Sequence, residues 1–227
     1  MKTLTTVLRT CVVVLALASA PLAFGAESSQ FSEAERRVFT DKHLAGLKDA
    51  TTIEYSYQKR GSLEAVADDK IVLMIGAAKQ PGGRSVKVQY LSGQRRFELP
   101  DVQAAESNPV ILFFLERETR EMNRLTGGAA RYYQKRIRMA LAETAQLKPA
   151  KTKLGSREVA ATEVHLAPYR DDPARLRYEK FADKTYVLTF SPEVPGGVVE
   201  LRSELVTRDG GESRIVIAES VRFVGSR

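Results

Sequence analysis

Nucleophilic hydrolysis needs a thiol or hydroxyl activated by a nearby base. The 227-residue chain offers one cysteine, Cys11, two histidines, His43 and His165, and no Gly-x-Ser-x-Gly elbow. Cys11 lies at the start of an apolar N-terminal run. His165 shares a strand face with Glu163, opposite the apolar face, and is expected to be exposed. His43 follows Asp41 and Lys42 and is expected on a charged helix face. The acidic pairs Asp68-Asp69 and Asp171-Asp172 lack the clustered donors of a zinc or calcium site. The first reads as a turn before a strand and the second as a helix cap ahead of Pro173. No metal and no cofactor is expected. A pair of carboxylates acting on a glycoside is a matter of tertiary structure, although the absence of tryptophan makes a sugar-stacking cleft unattractive. A non-enzymatic protein is the leading expectation.

Charge offers more. Arg131, Lys135 and Arg138 follow one another at four and three residues and share one helix face, roughly opposite Tyr133 and Ile137. This basic stripe is either an ordinary solvated face or a contact for an anion, an anionic membrane surface or an acidic envelope protein. Gly127-Gly128, just before that helix, reads as a turn between antiparallel helices or as a phosphate- or carboxylate-binding start. Glu116 can meet Arg120 and Arg117 can meet Glu121, which predicts an exposed ridge with no site on it.

The elements that place these residues begin with an export signal. Lys2 and Arg9 precede and flank an uncharged run from Cys11 to Ala20, followed by Pro21 and the small-residue stretch Ala23-Phe24-Gly25-Ala26. That layout predicts a signal peptide over residues 1–25, cleaved near Gly25 or Ala26. The exported domain, 26–227, is then periplasmic or secreted and has no cysteine and no disulfide. The net charge of +7 includes Lys2 and Arg9, so the exported portion carries +5. In that compartment the surplus is either an ordinary solubilising surface or suits anionic lipid, other anionic envelope polymers or acidic protein rather than nucleic acid.

Ser32-Glu33-Ala34-Glu35 has capping-box spacing and opens an amphipathic helix to about Leu47. Alternation then takes over: Ile53, Tyr55 and Tyr57, then runs at 71–75 and 86–90 around Pro81-Gly82-Gly83, then Phe97 and Leu99. Asn108-Pro109 announces a helical insert at about 108–147, with Val110–Leu115 wholly apolar and expected to be buried. Pro149 ends its second helix, and a second β region starts near Arg157 with Ala160, Thr162, Val164 and Leu166. Asp172-Pro173 opens a short helix to Phe181. Three more strands follow, around Tyr186–Phe190, Val199–Leu205 and Ile215–Val224. The economical fold is a single α+β domain. Its curved, mostly antiparallel sheet, a half-barrel-like meander, is covered by the N-terminal helix and the central helical hairpin. Two domains split near Ala150 are the alternative.

The order of signal segment, helix, meander, helical insert and meander resembles the unclosed-barrel periplasmic carriers of the LolA and LolB type. The segments Asn108–Glu116 and Asp183-Lys184-Thr185-Tyr186 are similar to those of uncharacterised proteobacterial exported proteins. The carrier resemblance covers most of the exported chain, rests on layout, and implies a curved sheet and lid helices that shield acyl chains. The expected function is a non-enzymatic periplasmic carrier or binding protein for an apolar or amphipathic ligand such as a lipid. Its candidate lining is Tyr55, Tyr57, Val88, Tyr90, Phe113, Phe114, Tyr133 and Tyr186, with Leu188 and Phe190, each of which is equally readable as plain core. The alternative is an envelope interaction or assembly factor that acts through the Arg131, Lys135 and Arg138 face.

Overall fold

A computed structural model describes residues 31–63, 65–77, 82–96, 99–209 and 212–227. The expected signal peptide and its cleavage site, Pro81, Phe97 and the Gly210-Gly211 turn lie outside the described residues.

Period-two patterning produces strands β1 (Thr52–Arg60), β2 (Ala67–Ala77), β3 (Arg84–Tyr90), β4 (Val102–Ala105), β5 (Gln146–Leu154), β6 (Arg157–Leu166), β7 (Thr185–Phe190), β8 (Val198–Asp209) and β9 (Glu212–Ser226). They form one nine-stranded sheet in the order β4-β3-β2-β1-β9-β8-β7-β6-β5. Every neighbouring pair is antiparallel. The two β regions are therefore one sheet, joined where β1 pairs with β9. Register shifts at Glu54/Tyr55, Arg84/Val86, Thr189/Phe190 and Leu205/Val206 mark the places where strands bend. The sheet is curved and does not close, with β4 and β5 as its edges.

Helices α2 (Val110–Thr126) and α3 (Ala130–Glu143) form the only connection between those two edge strands, and so cross one face of the sheet. Asn108 fixes the entry to α2. Its Oδ1 accepts the Val110 N–H at 3.1 Å, while Nδ2 donates to the Tyr55 hydroxyl and to the Gly196 carbonyl, each at 2.8 Å. One side chain thus ties the helix start to β1 and to the β7–β8 turn. Gly127, with φ of 72°, ends α2 in the left-handed conformation. The glycine pair is used as a turn: Gly127 N–H donates to the Asn123 carbonyl and Gly128 N–H to Thr126 Oγ1.

Three local expectations are corrected. The N-terminal helix has its capping box at Ser32 and Glu35, but α1 (Glu33–Glu35) runs on only as a π-helical turn over Arg36–Thr40. Tertiary bonds outcompete further helix there, since Ser107 Oγ donates to the Phe39 and Asp41 carbonyls and Leu44 N–H donates to the Glu106 carbonyl. The helical insert ends at Glu143, and residues 146–154, expected as helix end and connection, form β5. Pro149 is compatible with a strand at an edge, where a missing N–H breaks no ladder. The expected helix after Asp172 is two 3₁₀ turns, Arg175–Arg177 and Glu179–Phe181.

Candidate ligand-binding groove

The space between sheet and helices is filled by the residues expected to line a cavity. Tyr55, Tyr57, Tyr90, Phe114, Tyr133 and Tyr186 are buried, as are Leu188 and Phe190, whereas Val88 and Phe113 are partly buried against the same core. Tyr133 meets Tyr132, Tyr169 and Tyr178 edge to face, and Tyr169 does the same with Tyr186. Rings in this geometry add directional contacts to their burial.

Among these rings lies a cluster of charges. Register places Lys59 opposite Glu219, Glu219 opposite Ser203, and Ser203 opposite Tyr186, so one polar row crosses β1, β9, β8 and β7. Helix α2 answers it from above. Lys59 Nζ lies 2.9 Å from Glu121 Oε1 and 3.4 Å from Glu219 Oε1, and Lys184 Nζ lies 2.6 Å from Glu118 Oε2. Arg117 grips Glu219 with Nε at 3.0 Å and Nη2 at 3.2 Å, and donates to the Tyr57 hydroxyl at 2.8 Å. Burial pushes the Glu118 carboxyl up, with the Glu219 charge adding to it and Lys184 opposing. Burial also acts to raise Glu219, but Arg117, together with Lys184 and Lys59, outweighs it and holds that carboxyl below its usual range. The expected exposed ridge over 116–124 is therefore half wrong. The Glu116–Arg120 pair forms at 2.9 Å, but Arg117 pairs with Glu219 rather than Glu121, and Glu118 and Glu121 are buried.

A further buried carboxylate, Asp172, fastens the 168–182 loop to α3. It accepts the Tyr132 and Tyr178 hydroxyls and the Ala174 N–H, and pairs with Arg136 Nε at 3.0 Å. Burial raises its carboxyl, yet these donors outweigh burial and leave the pKa below the ordinary carboxylate value of 3.8. A depressed pKa gives stability that is present above the unfolded-state value and is lost as pH falls through the folded-state value. Asp172→Asn is expected to lose about 1.5–3 kcal/mol at neutral pH. It is also expected to lose less than wild type on further acidification. Urea unfolding at neutral pH and at a pH well below the ordinary carboxylate value of 3.8 checks both, and equal acid sensitivity of the two proteins would count against the assignment.

The histidines sit apart. His43 is on a turn rather than a helix, with its ring stacked on Phe190 at 5.5 Å between centroids. Its Nδ1 accepts the Asn108 N–H at 3.3 Å, and burial lowers its pKa. Ser191, beside it in the same cleft, accepts the Glu193 N–H. His165 Nε2 meets Glu163 at 2.6 Å on a partly exposed strand face. Among the described residues no group of three His, Cys, Asp or Glu side chains is placed to hold a metal, and no helix is long and apolar enough to cross a membrane.

An apolar hollow lies outside the sheet–helix interface, within the helical layer. A groove of about 750 Å³ runs between the N-terminal segment, α2, α3 and the 99–100 loop. Its apolar walls are Phe31, Phe39, Leu99, Leu112, Phe113, Leu115 and Ile137, and its polar rim includes Glu35, Glu116, Arg120, Gln134 and Arg138. Of the expected lining residues only Phe113 reaches it. Val110–Leu115 is apolar around more of the helix than the sheet can cover. Val110, Ile111 and Phe114 turn inward, while Leu112, expected to be buried, is 54% exposed at the groove.

The basic stripe adjoins this groove. Arg131, Lys135 and Arg138 are exposed on α3 and line a shallower hollow of about 420 Å³ with Glu35, Gln134, Met139, Ala142 and Glu143. Glu35, Gln134 and Arg138 border both hollows. None of the three basic side chains has an ion-pair or hydrogen-bond partner among the described residues. What the arrangement can do is hold an apolar chain beside unpaired positive charge.

No family model and no curated protein matches the sequence. Among solved structures, the chain is similar to the crystal structure of the Mycobacterium tuberculosis lipoprotein LppX, at 8% identity and a TM-score of 0.31, over 76% of this chain and 84% of that chain.

Proposed function

We propose that the protein is a non-enzymatic carrier of the bacterial envelope that binds one apolar or amphipathic molecule, such as a fatty acid or lipid, in the groove over α2 and α3. The observation that supports this reading is the groove itself. Its volume of about 750 Å³ falls within the range of small-molecule sites, which are concave, mostly apolar and fringed by a few polar groups. Aromatic and aliphatic walls reward an acyl chain in proportion to the area removed from water. Arg138 at one end and the Arg120–Glu116 pair on the rim offer a polar head its partners. The carrier role lies on the outer side of the helices, because the inner side is committed to the core and the charge cluster.

The full chain, exported by a bacterial host and purified without detergent, is expected to carry stoichiometric lipid or fatty acid in native mass spectrometry, recoverable by organic extraction. Leu112→Asp changes an exposed side chain and should leave the fold intact. It removes roughly 1.5–3 kcal/mol of apolar burial on the ligand, so a fluorescent fatty acid is expected to bind about ten- to hundredfold more weakly. A clean unliganded mass, together with no uptake of the fluorescent fatty acid by wild type, would overturn the proposal.

A further inference from the structure

We infer that the outer face of α3 is a docking surface for an anionic lipid bilayer, which sets the mouth of the groove against the membrane that supplies or receives its ligand. The inference rests on the carrier reading for its purpose, but its observations are separate. Arg131 and Lys135 lie one helical turn apart on the exposed side of α3 and, like Arg138, have no acidic partner among the described residues. The neighbouring carboxylates do not cancel them. Glu35 is buried and accepts the Ser32 N–H at 2.9 Å, and Glu116 is held by Arg120. Among the described residues that line the hollow, Glu143, at its far end, is the one exposed acid.

Charge complementarity alone fits an acidic protein as well as a membrane. Continuity with an apolar surface decides for the membrane. The same helix face passes through Arg138 and Gln134 into the groove, where Leu112 is exposed among apolar walls. Cations beside exposed apolar side chains are what an interface of anionic headgroups over acyl chains accommodates. An acidic protein surface gives the apolar part nothing to do. Each basic side chain near such a surface strengthens binding about fivefold, and the attraction is screened within a Debye length. Contact through this stripe is therefore weak and reversible, as loading and unloading of a ligand requires.

The test is sedimentation of the purified full chain with vesicles of phosphatidylcholine alone or mixed with phosphatidylglycerol, at low and high salt. Binding is expected only to the phosphatidylglycerol vesicles and only at low salt. The double variant Arg131→Gln/Lys135→Gln should bind them roughly thirtyfold more weakly. It should still carry its ligand in native mass spectrometry, because neither residue lines the groove. Equal binding to neutral vesicles, unchanged binding of the double variant, or no vesicle binding at all overturns the inference, the last in favour of an acidic protein partner. The double variant separates the two proposals: ligand kept while vesicle binding falls is an effect of the stripe alone, since Arg131 and Lys135 lie outside the groove. Vesicle binding by a wild-type protein that takes up no ligand defeats the carrier reading and leaves the docking surface standing.

Discussion

Replacing Lys184 with methionine is expected to destabilise the protein by about 3–5 kcal/mol, because it leaves the Glu118 carboxylate buried without its counter-charge. Lys184 and Glu118 are both fully buried, and their 2.6 Å contact is electrostatic. Among the described residues, neither Glu118 oxygen, nor Lys184 Nζ, nor nearby Ser203 Oγ completes a hydrogen bond. The pair therefore has few other bonds to fall back on. For a domain of this size the loss corresponds to roughly 6–20 °C in melting temperature. The sign with pH is defined. Burial already raises the Glu118 carboxyl, and removing Lys184 raises it further. A carboxyl whose folded-state pKa exceeds its unfolded value contributes stability below the unfolded value that is lost as pH rises through the folded one. The deficit of the variant is thus largest at neutral pH and shrinks on acidification, where wild type itself loses the ion pair. Glu118→Leu/Lys184→Met removes both charges, and apolar replacement of a buried pair is often neutral or favourable. Chemical unfolding of the two single variants and the double closes a mutant cycle. A Lys184→Met protein within about 1 kcal/mol of wild type, well below the cost expected for an orphaned buried charge, would show that the pair is not what the geometry says it is.

The charge cluster was legible in the sequence, though not as an ion-pair pattern. In β1 the buried positions are Ile53, Tyr55, Tyr57 and then Lys59, and in β9 Ile217, Glu219 and Val221. Lys184 stands in phase with Tyr186, Leu188 and Phe190. A charged residue on the apolar parity of a strand must be buried with the rest of its face, since side chains alternate without exception along a regular strand. The same holds on α2, where Glu118 follows Phe114 by one turn. Pairing by helical spacing alone hid this, because Arg117 and Glu121 are equally well spaced to meet each other in solution as to meet the sheet. The antiparallel sheet and the helical insert were readable for the ordinary reason that a half-buried strand alternates. Strand β5 was not, because it buries no side chain fully, its alternation breaks at Lys148-Pro149, and that proline reads as the end of a helix. The groove was unreadable for a different reason. Its walls come from the N-terminal segment, α2, α3 and the loop near Leu99, and only their packing brings them together.

Gly61→Ala is expected to cost about 2–6 kcal/mol, from backbone strain and overpacking together. Gly61 lies just past β1 with φ of +135°, a conformation that L side chains rarely adopt. A methyl group there would sit 2.3 Å from the Val216 carbonyl oxygen, 2.7 Å from its carbon and 2.8 Å from Ile217 Cα. All three are backbone atoms of β9, so no side chain can rotate away. Relief requires β1 and β9 to separate at the place where Ser62 and Leu63 N–H groups bond the Ile215 and Val216 carbonyls. That pairing joins the first four strands to the last five, so the damage is placed at the seam of the sheet. Gly155→Ala separates strain from collision. Gly155 also has positive φ, +61°, in the tight turn between β5 and β6, but an added methyl meets nothing within 4 Å. Its cost is that of one left-handed residue, about 1–2 kcal/mol. Urea unfolding ranks the two variants, and hydrogen exchange locates the effect. Faster exchange across β1 and β9 in Gly61→Ala alone fits a clash at the seam, while equal costs for the two substitutions would mean that the β1–β9 approach is looser than these contacts require.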